Sequence, residues 1–148
     1  MPPAYSINQV PVKITVKTTI MNGKDRETYE LITFGEYYNK INSIYLRYEE
    51  ANEEGTIKTT VKLTDQEGSI IRNGAIQMRL LFQKNKSLTG SFTTPYGVID
   101  MITRTTRMNF ELMEDLKKGE IDLLYDLTMQ GSHAGTYHLL INFEEDTN

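Results

Sequence analysis

From Val12 the chain alternates: Val12, Ile14, Val16, Thr18 and Ile20 share one side, and Lys13, Thr15, Lys17 and Thr19 the other. A period of two describes a β-strand with one buried and one wet face. Asn22-Gly23 follows, a pair that tolerates positive φ and predicts a tight hairpin. The pattern then resumes and stops at short intervals. It predicts strands over about 26–38, 44–48, 57–64, 69–73, 76–82, 88–94, 98–113, 121–129 and 136–144. Gly35 marks a bend or bulge within the strand over 26–38. Polar turns separate the strands, among them Pro95-Tyr96-Gly97.

One stretch reads two ways. Residues 111–118 also suit a short helix, with Phe110, Met113 and Leu116 at helical spacing, acids early, Lys117 and Lys118 late, and Gly119 as a C-cap. Elsewhere there is no alternation of strands and helices, so the pattern means a sandwich or a barrel. Long strands bent at glycines favour the barrel, because closure removes exposed edges. The expectation is an all-β, single antiparallel β-barrel of about 8–10 strands. It forms one domain over 1–148, with an ordered core at about 11–144 and no repeats or linkers.

Composition narrows the function classes. The 148 residues contain no cysteine, which excludes disulfides and thiolate chemistry. Sixteen basic and 20 acidic residues give a net charge of −4, which disfavours a general nucleic-acid binder. No apolar run is long enough for a membrane-spanning helix. The N-terminal Met-Pro-Pro-Ala-Tyr-Ser lacks the features of a signal peptide, so the expected location is cytoplasmic.

Candidate chemistry is sparse. Of two histidines, His133 lies in a loop and His138 shares the wet face of its strand with Thr136 and Asn142, so no metal centre or other cofactor is expected. There is no Gly-x-Ser-x-Gly elbow and no phosphate-binding glycine loop. Glu49 and Glu50 flank a loop that could rim a barrel mouth, and a pair of carboxylates there could do acid–base work. In a regular strand Arg104 shares a face with Val98, Asp100, Ile102 and Thr106, and that face continues through Met108, Phe110 and Leu112. An arginine on an inward face must be paired or bind an anion. A bulge would instead place Arg104 outside. Arg72 shares a face with Ile70, and Tyr48 and Tyr125 lie on the apolar faces of their strands. These tyrosines either line a wet pocket or fill a core. Arg104–Arg107 with Phe92 and Tyr96 could form a basic–aromatic strip for single-stranded nucleic acid, against the acidic balance.

Several segments together resemble a known family. They are Tyr48-Glu49-Glu50, Gly55, Thr59-Thr60-Val61-Lys62, Arg72-Asn73-Gly74, Met78, Phe82, the run Phe92–Gly97 and Thr105. In this order they are similar to the YwiB-like family of uncharacterised bacterial proteins, and the likeness covers roughly Val12–Phe143. Phe92 stands where a tyrosine is expected, so no role for that hydroxyl carries over. The resemblance implies a calycin-like, lipocalin-like barrel of unknown function and supplies no catalytic residues.

The leading expectation is a barrel binding a small, anionic ligand in its interior through Arg104, Asp100, Arg72, Tyr48 and Tyr125. An enzyme using mouth carboxylates, or an interaction protein acting as a homodimer, are the alternatives.

Overall fold

The computed structural model describes residues 9–113 and 117–146. Ten strands follow one another: β1 (Val10–Asn22), β2 (Asp25–Lys40), β3 (Ser43–Asn52), β4 (Gly55–Leu63), β5 (Gly68–Gly74), β6 (Gln77–Phe82), β7 (Ser87–Thr94), β8 (Gly97–Met113), β9 (Lys118–Met129) and β10 (Ser132–Glu145). Each pairs antiparallel with its sequence neighbours, and β1 pairs with β10, so the sheet closes into an up-and-down barrel.

The helical alternative for 111–118 fails at both flanks. Glu111, Leu112 and Met113 pair with Glu120, Gly119 and Lys118 of β9. Cross-strand hydrogen bonds at these positions outweigh a weak local helical spacing. Residues 114–116 lie outside the described residues.

The barrel is packed at one end and hollow at the other. Val12, Ile14, Leu46, Phe82, Ile121 and Ile141 are fully buried at or near the packed end. Phe143 stacks there between Tyr37, at 5.0 Å, and Phe110, at 6.4 Å. The hollow end carries the five hairpin turns β1–β2, β3–β4, β5–β6, β7–β8 and β9–β10.

Beside a register shift between His133 and Gly135 near the start of β10, two irregularities shape the wall around the site. Gly35 is where β2 begins to pair with β3, opposite Tyr48. A Cβ at Gly35 would sit 2.0 Å from the Arg47 carbonyl oxygen, so the two backbones can meet only at glycine. The part of β2 before Gly35 pairs with β1 alone.

The second irregularity lies in β8. Pairing with β9 runs in register to Thr105↔Tyr125 and resumes at Arg107↔Leu124, leaving Thr106 as a bulge. The Thr105 backbone also bonds to the β6–β7 connection, through Asn85 N–H at 2.7 Å and the Lys86 carbonyl at 3.4 Å. One extra residue inverts the facing of everything beyond it. Before the bulge, Met101, Thr103 and Thr105 point inward and are buried. After it, Met108, Phe110 and Leu112 pack against the core. The single face expected from Val98 through Leu112 therefore does not exist. Its first half, with Asp100, Ile102 and Arg104, is the outer face.

Deleting Thr106 removes the inversion and forces one half of β8 to present the wrong face. The expected cost is about 3–5 kcal/mol, as a lowered urea midpoint. Thr106→Ala keeps the residue count and should cost less than about 1 kcal/mol. Equal midpoints for the two variants would show that the bulge does not set the phase.

Candidate functional site

Five inward side chains form a row around the wall. Tyr48 of β3 pairs with Thr59 of β4, Thr59 with Arg72 of β5, Arg72 with Met78 of β6, and Met78 with Phe92 of β7. Strand alternation alone places the first four, since Tyr48, Thr59, Arg72 and Met78 sit two residues from the buried Leu46, Val61, Ile70 and Leu80. On the far wall Tyr125 stacks on Tyr137 at 5.5 Å and tilts against Phe82 at 4.8 Å.

These walls enclose a cavity of about 600 Å³ at the hairpin end. That is within the usual range for a small-molecule site, ~300–1,000 Å³. Leu80, Met101, Leu127, Met129 and Leu139 give it an apolar lining. The one ion pair lining it, among the described residues, is Arg72 with Glu50, formed through Nη2 and Oε1. Both side chains are about a quarter exposed, at 28% and 26%. The Thr59 hydroxyl, between Tyr48 and Arg72 in the register, is buried. A second cavity of about 650 Å³ at the opposite end, lined by Lys40, Ser43, Asp65, Asn109 and Glu111 among others, is more polar and more open.

The tyrosines are held neutral. Burial pushes the Tyr48 phenol up to about 12, against the opposing pull of the Arg72 guanidinium and the nearby Thr59 hydroxyl. Burial raises Tyr125 as well, reinforced by Tyr137. Tyr137 is raised by burial and then by the charge of Glu27. At the rim Tyr29 donates to Glu27, and that bond is the main cause of its raised pKa. The cavity thus presents phenol O–H donors over the whole neutral range.

Arg72, Tyr48 and Tyr125 line this cavity together. Arg104 and Asp100 do not join them. Both are exposed on the outer face, Arg104 opposite Asp126 and Asp100 opposite Ser91. An interior anion site at Arg104 is therefore excluded by the Thr106 bulge. Glu49 and Glu50 point to opposite sides of β3, Glu49 outward and exposed, so they do not converge as an acid–base pair. The basic–aromatic strip does not assemble either. Phe92 lines the cavity, while Arg104 and Arg107 lie outside.

Residue types alone did not single out Thr59 or Tyr137, nor a polar cluster on the outer wall. There His138 Nε2 lies 2.8 Å from Asp122 Oδ1, and Arg107 Nε donates to Asp122 Oδ2 at 3.2 Å. Thr136 donates to Asp126 at 2.6 Å nearby. This cluster stands on a convex surface with nothing to enclose a substrate. Among the described residues no three His, Asp or Glu side chains converge to hold a metal ion.

Fold and cavity together define a closed ten-stranded β-barrel with a pocket at one end. Residues 14–141 match the family described as a domain of unknown function, DUF1934, and the chain belongs to that family. It is 30% identical over 139 residues to the uncharacterized beta-barrel protein YwiB of Bacillus subtilis strain 168, covering 94% of this chain and 96% of that one. The crystal structure of the Bacillus subtilis ywiB protein superposes with a TM-score of 0.82 at 30% identity, covering 94% of each chain.

The raised phenols link to stability with a definite sign. A group whose folded pKa lies above its unfolded value, here about 12 against 10 for Tyr48, stabilises the fold below pH 10 and loses that contribution as pH rises toward 12. Tyr48→Phe should therefore flatten the fall in unfolding free energy between pH 10 and about 12. Urea titrations at stepped alkaline pH check this, and identical slopes for the two proteins would contradict it.

Proposed function

We propose that the barrel is a binding protein that takes a small, mainly apolar molecule into the cavity at its hairpin end. The carrying observation is the contrast between the two halves of the interior. One half is packed with Ile, Leu, Val and Phe, while the other keeps about 600 Å³ lined by the same kinds of side chain. A core selected only for stability would close such a space, because unfilled apolar volume costs stability. Few polar groups converge on it, which suits orientation of a ligand rather than general hydration. Calycin-type barrels often hold apolar ligands in the mouth, and the likeness to them supports this reading at the level of fold.

Native mass spectrometry of freshly purified protein should show a retained small-molecule mass. The stripped protein should bind the dye N-phenyl-1-naphthylamine with one site. Met78 lies on the cavity wall and is partly exposed, so Met78→Trp should occupy the space and weaken dye binding by about tenfold or more. The thermal midpoint should not fall. Wild-type protein that takes up no dye, or a Met78→Trp variant that binds it equally well, would sink the proposal.

A further inference from the structure

The polar corner of the cavity has more donors than it uses. Arg72 is held by one contact, from Nη2 to Glu50. Among the described residues its other N–H groups meet no protein acceptor. Next to it in the register stands Thr59, which is 2% exposed and lies outside the cavity lining. Next again is the Tyr48 phenol. Two kinds of donor, a guanidinium and a phenol, therefore face one region of an otherwise apolar wall, and the carboxylate that meets the guanidinium there is the protein's own Glu50.

We infer that the ligand is a carboxylate on an apolar body, and that its carboxylate takes the place on Arg72 that Glu50 holds in this structure. This rests on the interior being a binding cavity. Glu50 shows that the corner accepts a carboxylate. It is also placed to leave. Beyond Tyr48, β3 no longer pairs with β2, so residues 49–52 have a ladder partner on one side only, β4. The side chain can turn toward water at that gap. A partly exposed ion pair contributes little, about 0–1 kcal/mol, so releasing it costs little. The incoming carboxylate gains the guanidinium fork and brings an apolar chain into the cavity. Glu50 is then an internal competitor that sets how tightly anionic ligands are held. Glu27 and Glu30 also face the opening from β2. Their charge opposes an anion's entry and would favour a cationic head, which the test must separate.

Decanoate, decanol and decylamine share a chain and differ in the head group. Each is titrated near neutral pH against bound N-phenyl-1-naphthylamine, on wild type, Glu50→Gln, Arg72→Gln and Arg72→Lys. Removing the competitor should raise the acid-to-alcohol affinity ratio about two- to fivefold in Glu50→Gln. The ratio should drop to one or below in Arg72→Gln and recover in part in Arg72→Lys. Circular dichroism confirms folding, and Glu50→Ala repeats the first comparison should Glu50→Gln misfold. An unchanged ratio on removing Glu50, or preference of the wild type for the amine, would overturn the inference. Dye binding with no displacement by any of the three overturns it too and leaves the cavity reading standing. Failure of the dye itself to bind removes both.

Discussion

Backbone pairing along the β1–β10 seam is the constraint on which the molecule depends. Ten consecutive pairs, from Val12↔Glu145 to Met21↔Thr136, join the first strand to the last. An open sheet would leave two rows of unpaired N–H and C=O groups at its edges, and each buried one would cost free energy. Closure removes those edges and gives every strand an inside and an outside. Once β1 is locked to both β2 and β10, a shift of one residue anywhere would turn apolar side chains to water. The irregularities are therefore local, and each does one thing. Thr106 re-phases β8 where its pairing partner changes. Gly35 ends the stretch over which β2 and β3 pair and lets their backbones approach closely there, and beyond it they part.

That parting links the fold to the site. Where β2 and β3 are paired, the interior is full: Tyr37, Leu46 and Phe143 leave no room. Where they diverge, the wall opens, and Tyr48, Arg72 and Met78 line a cavity instead of a core. The same divergence leaves Glu50 beside Arg72 on a strand end with one neighbour. Packing, opening and charge placement thus follow from one change in strand pairing. The outer polar cluster around Asp122 and His138 has the opposite setting, on a wall that closure has made convex, and its ion pairs serve the surface.

Much of this was legible in the residues. Period-two patterning located all ten strands, because each buries one face and wets the other. It also put Tyr48, Arg72 and Tyr125 inside, since each shares parity with apolar neighbours on a regular strand. The same rule misplaced Arg104 and Asp100. Val98 and Ile102 made their side look apolar, yet Val98 is 66% exposed in the folded chain. A bulge at threonine, in a run of threonines and arginines, carries no residue signature. Beside it the Thr105 backbone bonds to Asn85 and Lys86, in the connection that leads into the neighbouring β7 and lies some 20 residues away in sequence.

The chain's own pattern determined the strand faces, the all-β class and the antiparallel order, because these rest on contacts between residues near in sequence and on hydrophobic periodicity. Three things were left to the tertiary structure: the phase of β8, the partner of Arg72 and the existence of a hollow. Glu50 and Arg72 meet across β4, and a cavity is a property of volumes summed around a closed wall. Neither can be read along one strand, because each depends on how ten strands close on one another.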